Sequence, residues 1–245
     1  MKDIKSIKKK LRHSSSTNEI NEILIEISKN PNEFTLSIID FLFQILDIQQ
    51  LNNVKINLVY LIGKASQIVK LDTKYIDFLV NSYYESDRWV RNEIIQAFYN
   101  IVKSGSYLKS INEVLETALK EDYEPIQDSS LKVFNLYKNL EESSLKSIMS
   151  ILGTKNTDRV NLALKILKKE ITNEEKLFNF LNNHQNYKLL NKSIVRVLII
   201  EFLTTISQLE TFQEKILNSD WEEKVKVTFN SEINTLEKIL LQRRI

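Results

Sequence analysis

The sequence predicts an all-α chain: an α-solenoid of about six stacked helical hairpins, closed at its start by a capping helix. Three observations predict it. Glycine and proline are scarce, three and two in 245 residues, too few for the tight turns of sheets or the phosphate loops of nucleotide enzymes. Apolar residues recur at intervals of three and four almost throughout, the period of amphipathic helices, and no sustained period-two alternation occurs. Finally, one apolar–polar pattern returns six times along the chain at nearly constant spacing.

The template is Asp87-Arg88-Trp89-Val90-Arg91, in which a turn carboxylate precedes Val-Arg and the apolar residues Ile94, Ala97, Phe98 and Ile101 follow. The same phase starts at Val54, Ile126, Val160, Val195 and Val225. The six anchors are separated by 36, 36, 34, 35 and 30 residues. Each interval has room for two helices and two short turns, at about 1.5 Å of rise per residue. A single hairpin has too little partner surface for its apolar face, whereas stacked hairpins share a continuous core.

Taken in order, residues 1–30 are expected to form the basic N-terminal segment and cap. Ser16-Thr17-Asn18-Glu19 is a capping-box sequence ahead of Ile20, Ile23, Leu24 and Ile27. The repeats occupy 31–245, within a single domain spanning 1–245. First helices are predicted at 33–47, 74–85, 107–120, 142–152, 174–184 and 208–217, with second helices carrying the anchors. Polar breaks fall at Ser86-Asp87, Glu121-Asp122, Lys155-Asn156-Thr157 and Ser219-Asp220. The last helix, 221–242, is followed by Arg243 and Arg244, cations that suit its C-terminal dipole.

Composition narrows the function. There are 34 basic and 32 acidic residues, net +2, a balance unlike the basic excess of general nucleic-acid binders. Without cysteine, thiolate chemistry and disulfides are excluded. The start of the chain has no secretory h-region, and the longest apolar runs, such as 193–202, are short. A soluble, cytoplasmic protein is expected.

Asp87-x-x-Val90-Arg91 with Ile94, Ala97 and Ile101 resembles the HEAT-repeat signature, as does Val54-Lys55 followed by Leu61-Ile62-Gly63-Lys64-Ala65. The likeness covers about 33–240 and is best over 74–105; armadillo-type repeats share much of it. It implies a solenoid that presents its second helices on a concave face, where such proteins bind other macromolecules. It does not choose among peptide, protein and nucleic acid.

The residues after the anchors are Lys55, Arg91, Gln127, Asn161, Arg196 and Lys226, four of them cationic. Stacking would set them in a ladder. One reading makes the ladder a groove for an acidic partner. The other makes it structural, with side chains bonding turn carboxylates and carbonyls, Asp87 with Arg91 above all. Tyr83, Tyr84, Trp89, Phe98 and Tyr99 form the densest aromatic cluster. Phe98 lies on the core phase, Tyr99 one residue off it toward the groove, and Trp89 at the turn. The partner-binding residues expected from this pattern are Lys55, Arg91, Tyr99, Arg196 and Lys226.

Residues 1–12 carry net +5, leaving −3 for the rest, with Ile4, Ile7 and Leu11 at helical spacing. A basic amphipathic helix suits an anionic membrane or an acidic partner, and equally a solubilising cap.

No catalytic constellation is legible. The histidines, His13 and His184, lie in different repeats, and without cysteine they cannot supply a structural zinc set. One HEAT-like enzyme family, deoxyhypusine hydroxylase, holds di-iron through His-Glu dipeptides, but here the pairs are His13-Ser14 and His184-Gln185. Gly63, Gly105 and Gly153 are isolated, so no phosphate loop is present. Trp89-Val90-Arg91 is loosely similar to segments of DNA alkylation-repeat glycosylases, which rely on an Asp in an aromatic, basic cleft, but only two Trp occur, at 89 and 221, and no Trp-rich acidic motif is present. The expectation is a non-enzymatic scaffold without cofactor or metal that binds a protein partner. The alternatives are a nucleic-acid-binding solenoid, possibly glycosylase-like, and a peripheral membrane adaptor acting through residues 1–12.

Overall fold

The structure, a computed structural model, describes residues 4–106 and 108–242. Among these the chain is all-α, with fourteen helices, two 3-10 turns and no strand. The helices are stacked hairpins, the helical-repeat architecture the spacing predicts. The predicted single domain divides into two compact units, one ending at Leu136 and one beginning at Tyr137. The anchor spacing runs through this point unchanged and gives no sign of it. Locally, 135–141 carries no helix, and the flanking helices have only eleven and nine residues.

The first unit holds α1 (Ile4–His13), α2 (Thr17–Lys29), α3 (Thr35–Ile45), α4 (Ile48–Ala65), α5 (Thr73–Glu85), α6 (Arg88–Lys103), α7 (Lys109–Ala118) and α8 (Glu124–Phe134). Its second helices, α2, α4, α6 and α8, pack on one another in succession, while α1 lies on α3 and α5 on α7. The core between the layers includes Leu42, Leu58, Ile62, Leu79, Ile94, Phe98, Leu115 and Phe134, all fully buried. At Gly63 the backbones of α4 and α6 approach so closely that an added Cβ would lie 2.9 Å from the Ala97 Cα. Glycine there serves close packing, where a side chain would hold the helices apart.

Two expectations change. Within the expected cap the described residues form a helix pair, α1 and α2, and not one capping helix, so the first unit begins with a hairpin of its own; Met1, Lys2 and Asp3 lie outside the described residues. Ser16 caps α2 as expected, accepting from the Glu19 amide at 3.3 Å, but the Glu19 carboxylate returns to the Ser15 amide at 2.8 Å. The Val54 helix also starts earlier than its anchor suggests. Asp47 caps it through a reciprocal box with Gln50, so the turn carboxylate lies seven residues before Val54.

The second unit holds α9 (Glu142–Ser150), α10 (Thr157–Glu170), α11 (Glu174–Asn182), α12 (Lys192–Phe202), α13 (Ile206–Leu217) and α14 (Glu223–Gln242), with 3-10 turns at Ile151–Gly153 and Asn183–Leu189. Here α11 packs on α13, and α14 on α12 and α13. Trp221 is buried and stacked, with Phe178 at 5.4 Å and Tyr187 at 4.7 Å. Its indole N–H donates to Asn182 at 2.9 Å, which satisfies the polar end of a buried ring.

Candidate partner-binding surface

Side-chain bonds between elements recur at one repeat length. Tyr75 donates to Asp40 at 2.8 Å, Gln67 to Asn100 at 2.7 Å, Gln96 to Ser129 at 2.7 Å and Lys168 to Glu201 at 2.7 Å. The sequence separations are 35, 33, 33 and 33. A hairpin here is tied to the next by polar staples as well as by its core.

Two residues of the predicted ladder, Arg91 and Arg196, belong to this system, and two more, Gln127 and Lys226, make local bonds. Lys55 is buried, 8% exposed. Arg91 donates to the Ser86 carbonyl at 3.0 Å and to Glu121 at 2.8 Å. Gln127 donates to the Glu121 carbonyl at 2.6 Å. Arg196 donates to Glu232 at 2.8 Å, a bond that, with burial opposing it, holds the Glu232 carboxyl below its ordinary range. Lys226 donates to the Leu217 carbonyl at 3.3 Å and pairs with Glu223 at 3.4 Å. Asn161 is exposed, and Tyr99 is half-buried with Lys103 5.9 Å from its ring centroid.

The expected Asp87–Arg91 pair is replaced by two separate arrangements. Asp87 is the N-cap of α6, accepting from the Trp89 and Val90 amides at 2.9 and 3.1 Å. That leaves Arg91 to Glu121, in the turn before α8. Glu121 also accepts from the Tyr83 hydroxyl. Burial first, then this bond and the Glu121 charge, push the Tyr83 phenol well above its ordinary range, with Arg91 opposing.

Around this triad lies the most exposed aromatic cluster of the first unit. Trp89, the second residue of α6, is 58% exposed and meets the Tyr123 ring edge-on at 5.8 Å and 70°. The Arg88 guanidinium stands 5.2 Å from each of these ring centroids. Tyr84, also 58% exposed, sits edge-on to Tyr83 at 5.5 Å. A cleft of about 490 Å³ opens among Tyr83, Tyr84, Arg88, Arg91, Lys120 and Tyr123. Trp89 thus does both things open to it at the turn: it leans on the next repeat and keeps most of its surface in solvent. The sequence reading missed Arg88, Tyr123 and Glu121. The available signal was position, because Tyr123 stands three residues before its anchor, as Asp87 does before Val90.

Elsewhere, the apolar face of α1 is turned inward. Leu11 is buried, and Ile4 and Ile7 line a groove of about 500 Å³ with Ile23, Ile27 and Phe34. His13 and His184 are exposed and lie in different units. Among the described residues no helix is long and apolar enough to cross a membrane, and no group of three or more His, Asp or Glu is placed to hold a metal ion.

No family model matches the chain, and no curated protein matches it. Solved structures do. One engineered protein from the Northeast Structural Genomics Consortium is similar over 95% of this chain and 98% of its own, with TM-score 0.54 and 15% identity. A second, also engineered, covers 94% of this chain and 67% of its own, with TM-score 0.52 and 16% identity. These likenesses establish the fold alone.

Proposed function

We propose that the chain is a non-enzymatic, HEAT-like scaffold that binds a protein partner on the exposed face of its second helices, in the cytoplasm. The observation that carries this reading is the Arg88–Trp89–Tyr123 cluster beside Tyr84. Interfaces concentrate their binding energy in a few Trp, Tyr and Arg residues, and here Tyr84, Arg88 and Trp89 stand exposed beside the half-buried Tyr123. Ile25 on α2 and Ile56 and Tyr60 on α4, each 39–48% exposed, add exposed apolar residues on other second helices of the same unit. With Lys55 buried, and Arg91, Arg196 and Lys226 bonded within the chain, this edge supports the reading better than the ladder does.

The test is quantitative. A partner captured by the intact chain is purified and its affinity measured against the parent and the Tyr84→Ala/Trp89→Ala double variant. Loss of about tenfold or more is expected. An unchanged Kd for every partner captured overturns the assignment. Imaging the tagged intact chain tests the compartment.

A further inference from the structure

We propose that the Trp89 edge captures an apolar peptide segment of the partner that carries one acidic residue, with its Asp or Glu carboxylate held by Arg88 and a large apolar neighbour lying against Trp89 and Tyr84. This rests on the scaffold reading above and names the chemistry the surface selects.

The two arginines of the cleft differ in one respect. Arg91 already has its anion, Glu121, at 2.8 Å and a carbonyl at 3.0 Å. The contacts of Arg88 are to the ring faces of Trp89 and Tyr123, each at 5.2 Å. The two rings stand at 70° to one another, so they confine the Arg88 head from two sides through its π contacts, which leave its N–H donors for a ligand. A fork held in this way suits a carboxylate bidentately, and less side-chain entropy is lost on binding. The rings that fix Arg88 also provide apolar surface directly beside the captured charge.

The surroundings choose between one carboxylate and a run of phosphates. Glu121 and Asp122 line the same cleft, and Glu85 and Asp87 are exposed next to it in sequence. A nucleic-acid backbone tracking past Arg88 would bring successive phosphates against these carboxylates. A single acidic residue in an otherwise apolar peptide brings only one charge to the cleft, and Arg88 is there to take it. The first unit has no excess of positive charge to offset that repulsion: residues 1–136 hold 17 basic and 18 acidic side chains.

The probe is a displayed random dodecapeptide library panned on the intact chain. The best binder is synthesised and its Kd measured against the parent, Arg88→Gln and Trp89→Ala chains. Arg88 is exposed at the start of α6, so Arg88→Gln keeps the fold, which circular dichroism checks. The expected binder carries Asp or Glu beside an aromatic or branched aliphatic residue. Arg88→Gln is expected to weaken it about tenfold or more. Its Asn or Gln twin should lose the same factor against the parent and almost nothing further against Arg88→Gln. A twin that binds the parent as well as the acid does overturns the proposal. If Trp89→Ala abolishes binding while Arg88→Gln leaves it intact, the acidic preference fails and the scaffold reading stands. If neither variant changes the Kd, both fail. Displacement of the peptide by a single-stranded oligonucleotide, lost in Arg88→Gln, would assign the edge to nucleic acid and overturn the proposal.

Discussion

Glu121 takes two donors from the preceding hairpin, the Arg91 guanidinium and the Tyr83 hydroxyl. Both partners are largely shielded, with Arg91 29% and Glu121 17% exposed in their side chains. Glu121→Ala is therefore expected to destabilise the first unit by about 1.5–3 kcal/mol, since it strands a charge and a buried hydroxyl. Urea denaturation measures this. A double-mutant cycle should find strong coupling for Arg91 with Glu121 and little for Arg91 with Asp87, whose carboxylate is occupied in capping α6. Tyrosines give a pH signature. Burial, and then the bond to Asp40, push the Tyr75 phenol up to about 12 from 10.0. A raised folded-state value means that the stabilisation is complete below pH 10.0 and is lost as pH rises toward about 12. Denaturation midpoints should fall over that window, and Tyr75→Phe should flatten the fall.

At the scale of helices, the approach of α4 to α6 is set at Gly63. In an isolated helix Gly→Ala would stabilise by about 1 kcal/mol. Here the added Cβ would lie 2.9 Å from a backbone atom of Ala97, which cannot swing aside as a flexible side chain can. Gly63→Ala is expected to destabilise by about 1–3 kcal/mol, and a rise in the urea midpoint would contradict the packing. Helix starts are legible to varying degrees. Ser16 stands as a cap at the expected place, Asp87 caps α6 in place of its expected pairing with Arg91, and the cap of α4 is Asp47, well ahead of Val54. The anchor pattern marks where a helix contacts its neighbours and is silent about how far the helix continues beyond that contact.

At the scale of the molecule, each compact unit has its own core and its own tryptophan. Trp221 reports on the second unit, because it touches Phe178 and Phe229, and Phe229 touches Phe212. Phe212→Ala removes a fully buried ring. It is expected to cost about 3–5 kcal/mol, read as an earlier transition in Trp221 fluorescence in a Trp89→Phe background. An unchanged midpoint would place Phe212 outside the core. The near-neutral charge of the chain suits an edge that selects one anion over one that gathers many. The likeness to two engineered proteins at about 15% identity shows that this stacking is reachable by very different sequences.

The sequence by itself determined the all-α class, the hairpin repeat, five of the six predicted first helices within the described residues to within about two residues, and the core phase that places Phe98 inside. The sixth, 107–120, begins at Tyr107, outside the described residues, and its described part contains α7, Lys109–Ala118. All of this depends on neighbours three or four positions apart, whose relation the helix fixes locally. Only the packing of one hairpin on the next sets the division after Leu136, the pairing of Arg91 with Glu121 thirty residues away, the bonding of Arg196 and Lys226 within the chain, and the place of Arg88 against the Trp89 and Tyr123 rings. Those outcomes turn on which side chain of the next hairpin comes within about 3 Å, a distance set by how one helix seats on another and by no spacing within either.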